Sequence, residues 1–298
     1  MSEKFVHPYI PNSVPEVQAE MLESIGAKDI EEFFACVPQE LRVKGLLDLP
    51  KPFLSEASLK RHVEGILAKN RTSSEMLCFL GGGCWNHYVP AVCDEVNGRS
   101  EFLTAYAGEP YEDHGRFQAL FEYESLMAEL LDVDVVNVPT YDGSQAAATA
   151  LRMAGRITGR DEVLVSDTTS PDRLSAIRGY LHPDMTVTLV GHEPGTGLVD
   201  TADLAAKLTD RTAAVFFENP SYLGFIETRG QAVSDAAHAK GALCVVYADP
   251  SSLGVLTPPS GYEADLTCGD IQPLGLHMYM GGARGGFIGA PDEVKFIE

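Results

Sequence analysis

The chain has 298 residues, 45% of them apolar, which is enough to bury a substantial core in one large domain with appendages. Its 43 acidic and 22 basic residues give a formal net charge of −21, a balance that repels phosphate backbones and anionic lipid and excludes nucleic acid and membrane surfaces as natural partners. Six cysteines without paired spacing, no apolar run of membrane length and no leader-like start predict a cytoplasmic, reduced protein without structural zinc.

Residues 1–78 predict a helical N-terminal arm. An extended lead to Asn12 precedes a helix that Ser13 would cap and that runs to Ile25. Residues 29–36 predict a short second helix. A third starts at Ser55 or Ser58, carries Leu59, Val63, Ile66 and Leu67 on one face, and ends near Asn70. In a two-fold oligomer such an arm suits wrapping a partner.

Residues 79–298 predict an α/β large domain. From Phe79 the composition turns to glycine and aromatics: Gly81, Gly82 and Gly83 permit close backbone approach. Trp85, Asn86, His87 and Tyr88 then cluster before Pro90 opens a helix. Two readings stand for this stretch, a loop facing an active site or subunit, and a core turn anchored by Trp85. Residues 115–131 predict a long helix burying Phe117, Leu120, Phe121, Met127, Leu130 and Leu131. A strand over 133–139 follows, and Asp142, Gly143 and Ser144 open an Ala-rich helix to about residue 158. Amides at such a helix start cradle phosphate in many enzymes, but a carboxylate at Asp142 would satisfy them first and reads as a cap.

Beyond this the pattern alternates: strands over 162–167, 185–191, 212–218, 242–248 and 266–271, with helices over 171–181, 201–208 and 231–240. Alternation with short links predicts right-handed βαβ units and a mostly parallel sheet. Asn219 to Tyr222 read either as a pocket rim or as an Asn-Pro turn. Residues 292–298 start a last helix after a glycine-rich turn.

Asp249 is the first charge after the strand at 242–248. A carboxylate at that end of a parallel strand faces the ligand crevice, and in one large enzyme class it pairs with the pyridine nitrogen of pyridoxal phosphate. That chemistry needs a lysine from a later strand to carry the cofactor as a Schiff base. The strand at 266–271 delivers Gln272 and Pro273 instead. Lys207 and Lys240 read as surface helix residues, and Lys240 precedes its strand at the wrong end for an independent pyridoxal-phosphate transferase.

The runs DPSSLG, PPSGYEADLTCGDIQPLG and GGARGGFI resemble the α half of the glycine decarboxylase P-protein of the glycine cleavage system. FLGGGCWNHYVP, RSEFLTAY, QALFEYESLMAEL and VVNVPTYDGSQAAATA extend the resemblance upstream in the right order. It implies a pyridoxal-phosphate-dependent transferase type I-like large domain and a degenerate cofactor pocket at Asp142, Gly143, Ser144, Asp249, Gln272 and Pro273. Gln272 and Pro273 stand where the β half has His and the Schiff-base Lys. It further implies a cavity or subunit face at Trp85, Asn86, His87, Tyr88, Thr104, Tyr106 and Tyr141, and pyridoxal phosphate carried by a β partner subunit. Glycine and the lipoyl H-protein would be the reactants, and a further C-terminal domain of the family is expected to be missing. The segment from Tyr106 to Arg116 departs from the family pattern and looks one residue shorter. A non-catalytic pseudoenzyme or diverged partner-binding paralogue is the alternative.

Overall fold

The computed structural model describes residues 6–45, 47–79, 81–99, 114–279 and 285–297, without the side chains of 114–116. The chain divides into two compact units, Met1–Arg71 and Thr72–Glu298.

In the first unit, α1 (Pro15–Ser24) starts on Pro15, whose fixed φ suits a first helical turn. Val14 is its N-cap, not Ser13. The Ser13 hydroxyl is used one turn earlier, donating to the Ile10 carbonyl at 2.7 Å and accepting from the His7 amide at 2.8 Å. The expected second helix is a 3-10 segment, Ile30–Phe34, capped by Asp29, which accepts from the Glu32 amide at 3.2 Å. Helix α2 (Glu56–Leu67) forms as its pattern predicts.

The second unit opens with α3 (Ala91–Asn97), directly after Pro90, and α4 (His114–Leu131). There follow β1 (Val135–Val136), α5 (Gly143–Thr158), β2 (Glu162–Ser166), α6 (Pro171–Leu181), β3 (Thr186–Val190) and α7 (Thr201–Lys207). Then come β4 (Thr212–Glu218), α8 (Gly230–His238), β5 (Leu243–Tyr247), β6 (Leu266–Asp270), β7 (Gly286–Ala290) and α9 (Val294–Ile297). The strands form one sheet in the order β1-β7-β6-β5-β4-β2-β3. All neighbours from β6 to β3 are parallel, and β7 runs antiparallel to both β6 and β1.

Strand periodicity sorts the core into two layers. Val163, Val165, Ala214, Phe216 and Val245 pack with Leu151 and Ala154 of α5 and Ile177 of α6 on one face. Their alternates Leu164, Val215, Phe217, Cys244 and Val246 pack with Leu204 of α7 and Val233 of α8 on the other. Helices on both faces explain why these strands are apolar throughout. Each buried Leu or Phe contributes about 1.5–3 kcal/mol relative to exposure.

Two expectations need correction. Of the residues expected to be buried on α4, Met127 and Leu131 are buried, but Phe117, Phe121 and Leu130 are exposed. Leu120 is half-buried, and the packed part of the helix runs from Tyr123 to Leu131, against Val136 and Phe287. The strand expected over 133–139 reduces to Val135–Val136, with Thr140 making an isolated bridge to Gly286. Its partner β7 lies in sequence that reads as a glycine-rich turn, because glycines flank the apolar pair Phe287 and Ile288.

β2 lies between β3 and β4, so the chain changes direction across the sheet between β2 and β4. The carboxyl ends of strands at such a reversal border the crevice where open α/β sheets bind ligands.

Candidate functional site

Three strand ends and the first turn of one helix bring a charged cluster together there. Glu218 ends β4, Tyr247 ends β5 and Asp270 ends β6, while Arg173 stands in the first turn of α6, after β2. All four are buried, Arg173 to 3% exposure and Asp270 to 6%. The Arg173 guanidinium pairs with the Glu218 carboxylate, lies 3.4 Å from the centroid of the Tyr247 ring, and brings Nη2 to 4.0 Å from Asp270 Oδ2. Glu218 also accepts from the amides of Ser170 at 3.1 Å and Tyr222 at 3.0 Å, which fixes the loops after β2 and β4. Asp270 accepts from the Gly143 amide at 2.6 Å and from the Tyr247 hydroxyl.

Burial sets the acid–base state of this cluster. It raises the Asp270 carboxyl above its ordinary value, against the hydrogen bonds of Tyr247 and Gly143 and the charge of Arg173. The Tyr247 phenol is pushed well up by burial, with Arg173 opposing and Asp270 adding to the rise, so it remains a donor. For Arg173, burial acts to lower the value, but Tyr247, Glu218 and Asp270 outweigh it and the guanidinium stays charged.

A cavity of about 270 Å³ opens beside the cluster, lined by Trp85, Arg173, Glu218, Tyr222, Tyr247 and Asp249 together with the glycines at 81–83. A larger hollow of about 710 Å³ lies in the first unit, near Gln18, Leu22 and Lys28. Every described residue of that unit is at least partly exposed, so we read the larger hollow as a surface gap and the smaller cavity as the site.

The residues expected at a pocket divide clearly. Trp85 and Asp249 line the cavity, and Gly143 is held to Asp270, the hydrogen-bond partner of the cavity residue Tyr247. Asp142 caps α5, its Oδ1 accepting from the Gln145 amide at 2.7 Å, and Ser144 is half-buried in the same first turn. Asp249 turns its carboxylate onto Ser251, accepting from the amide at 2.9 Å and the hydroxyl at 2.8 Å. Gln272 is buried and clamps the loop before α3, accepting from the Trp85 amide at 2.9 Å and donating to the Trp85 carbonyl at 3.1 Å and the Leu276 carbonyl at 2.8 Å. Pro273 is half-buried in the turn after β6. His87 is half-buried, with Nδ1 3.1 Å from the Trp85 carbonyl. Asn86 donates to the Ser73 carbonyl at 3.3 Å, Tyr88 and Tyr141 are 85% and 83% exposed, and none of the three lines the cavity. Thr104, Tyr106 and most of the divergent segment up to Arg116 lie outside the described residues.

Sequence reasoning missed Arg173, Glu218, Tyr247 and Asp270. The signal that selected Asp249, a charge at the carboxyl end of a parallel strand, applies equally to Glu218 and Asp270. Arg173 had no such signal, because it sits on a helix of ordinary amphipathic composition.

These residues do not fit a lysine-linked, phosphate-bearing cofactor. Asp270 and Asp142 take the amides of Gly143 and Gln145 at the start of α5, Asp249 is engaged by Ser251, and none of the cavity residues is a lysine. What the arrangement does with its own atoms is hold the ends of β2, β4, β5 and β6 and the loop at 81–85 in a fixed relation.

A family model described as "Glycine cleavage system P-protein" matches residues 7–296. A protein named "probable glycine dehydrogenase (decarboxylating) subunit 1" from Staphylothermus marinus is 38% identical over 300 residues, covering 98% of this chain and 64% of the relative. Its namesake from Chlorobium phaeobacteroides is 41% identical over 280 residues, covering 92% and 62%. The chain thus spans less than two thirds of the length of these relatives. A crystal structure of glycine decarboxylase (P-protein) of the glycine cleavage system, in inhibitor-bound form, superposes with a TM-score of 0.79 at 36% identity, covering 97% of this chain and 63% of that one. The fold is accordingly that of the type I-like pyridoxal-phosphate-dependent large domain, with its mostly parallel sheet.

Proposed function

The chain belongs to the glycine cleavage system P-protein family, and on that premise we propose that it is the α-type subunit supporting glycine decarboxylation, with the Schiff-base lysine supplied by a β-type partner. In this reading the partner carries the pyridoxal phosphate, which supplies the electron sink for loss of carbon dioxide, and the aminomethyl group passes to the lipoyl H-protein. The assembly would be a cytoplasmic hetero-oligomer. This chain contributes a rigid wall: Gln272 ties the Trp85 loop to the end of β6, and Arg173 ties β4 to β6.

The observation that carries the reading is the turn after β6, which presents Gln272 and Pro273 and no lysine, with Gln272 spent on backbone hydrogen bonds; we infer that these two residues stand where a lysine-bearing copy has its Schiff-base lysine. The test adds pyridoxal phosphate to the purified chain, reduces with borohydride and locates any adduct by mass. We expect no lasting adduct on the chain alone, and glycine-dependent carbon dioxide release once a β-type chain and lipoyl H-protein are added. A stoichiometric adduct at one lysine of this chain would refute the proposal.

A second reading, a non-catalytic pseudoenzyme that binds a partner, draws support from the internal pairing of Arg173, Glu218 and Asp270. It predicts complex formation without any gain in decarboxylation.

A further inference from the structure

We propose that the Asp270 carboxyl group is the built-in occupant of a small-oxyanion site formed by the start of α5, Tyr247 and Arg173, so that the chain itself excludes phosphate from this site. The inference goes beyond the subunit assignment and holds whether or not a partner supplies a lysine.

Three features build the site. The first is the start of the 16-residue helix α5, where the Gly143 amide donates to Asp270 Oδ1 at 2.6 Å across 127 residues of sequence. Amides and the positive helix end together favour an anion there. The second is independent of the helix. Arg173 is 3% exposed, approaches Asp270 Oδ2 at 4.0 Å through Nη2, and has a buried Nε without a partner. A guanidinium at that depth requires negative charge close by, and Glu218 and Asp270 provide it. The third is space. A Cβ on Gly83, whose φ is +97°, would stand 2.4 Å from Asp270 Oδ2, and one on Gly143 would stand 2.7 Å from the same oxygen. Both positions therefore leave room for the carboxylate, and Gly83 also needs a backbone conformation that other residues rarely adopt.

The occupant's chemistry follows from its neighbours. The Gly143 N–H and the Tyr247 O–H both donate to it, so the site takes an oxygen acceptor. Arg173 adds a full positive charge beside it. With the Asp270 side chain in place, both donors are satisfied and the space beside Gly83 and Gly143 is filled. With it removed, the two donors and Arg173 face a gap the size of a carboxymethyl group, suited to formate, acetate or one face of inorganic phosphate.

The test uses the full chain, wild type and Asp270→Gly, with formate, acetate and inorganic phosphate compared against chloride at equal ionic strength. Thermal unfolding and phosphorus NMR line broadening are the readouts. For wild type we expect no anion-specific change in either. Asp270→Gly should unfold at lower temperature, recover with rising formate or acetate, and bind phosphate about tenfold or more tightly than wild type. Adding Arg173→Met to Asp270→Gly should abolish that gain. If Asp270→Gly does not fold on its own, the readout is soluble yield: recovery in formate supports the assignment, and equal insolubility with and without anions overturns it. Saturable phosphate binding by wild type, or a folded Asp270→Gly that ignores all three anions, would also overturn it. Asp270→Asn, which keeps the shape, should bind no phosphate; binding there would show that the side chain does not fill the site.

Discussion

Helices α2 and α5 both carry apolar residues at helical spacing, yet they bury them to opposite extents. On α2, Leu59, Val63, Ile66 and Leu67 remain 42–57% exposed, whereas Ala146, Ala147, Ala150, Leu151 and Ala154 on α5 are fully buried. The difference holds for the units that contain them: no described residue of Met1–Arg71 is buried, while Thr72–Glu298 holds two core layers and a charged cluster. Periodicity states which face of a helix is apolar; only a neighbouring surface decides whether that face leaves water.

The contrast can be broken hardest at the cluster. Glu218→Ala would leave the buried Arg173 without its ion pair and the amides of Ser170 and Tyr222 without an acceptor. We expect a loss of about 3–5 kcal/mol in denaturant unfolding, because breaking a buried pair strands the remaining charge. A loss under about 1 kcal/mol, the level of an exposed pair, would show that Arg173 reaches water.

Next in size is the apolar layer. Leu151→Ala on α5 should cost about 2–5 kcal/mol by the same measurement, from lost transfer energy plus the cavity left behind.

A smaller effect separates Asp270 from its neutral analogue. Its carboxyl is raised by burial, so its contribution is fully present while protonated, below the unfolded value of about 3.9, and is lost as pH rises through its raised folded value. The stability of wild type relative to Asp270→Asn should therefore fall as pH rises through that window. The groups that set this window are Arg173, Tyr247, the Gly143 amide and Asp142. A difference that rises with pH instead would mean that the donors outweigh burial.

The smallest effect is expected on α2. Leu59→Ser in the chain alone should change stability by less than about 0.5 kcal/mol, since the side chain is already 46% exposed. A larger loss in thermal unfolding would reveal packing that this structure lacks. In a complex with a partner subunit, the same substitution is a direct probe of whether the arm is covered.

Much of the fold was legible in the residues. The bounds of β4 and α6 match their patterns, because a continuous apolar run and a Pro-initiated amphipathic stretch are local signals. The cap at Asp142 was legible for the same reason, its bond closing within three residues. β7 was not: its glycines read as a turn, and it is a strand because β6 and β1 offer ladders on either side. The exposed side chains Phe117 and Phe121 on α4 escaped as well, since their apolar character says nothing about which surface lies opposite.

By itself, then, the sequence determined the alternation that builds a parallel sheet, the capped start of α5 and the absence of a lysine from the turn directly after β6. These depend on neighbours within a few residues along the chain. Only the tertiary structure decided that Arg173, Glu218, Tyr247 and Asp270 share one buried cluster, and that the amide of Gly143 meets a carboxylate 127 residues away. Their energies arise from charges removed from water and paired across the sheet, and that pairing exists only once the strands are in order.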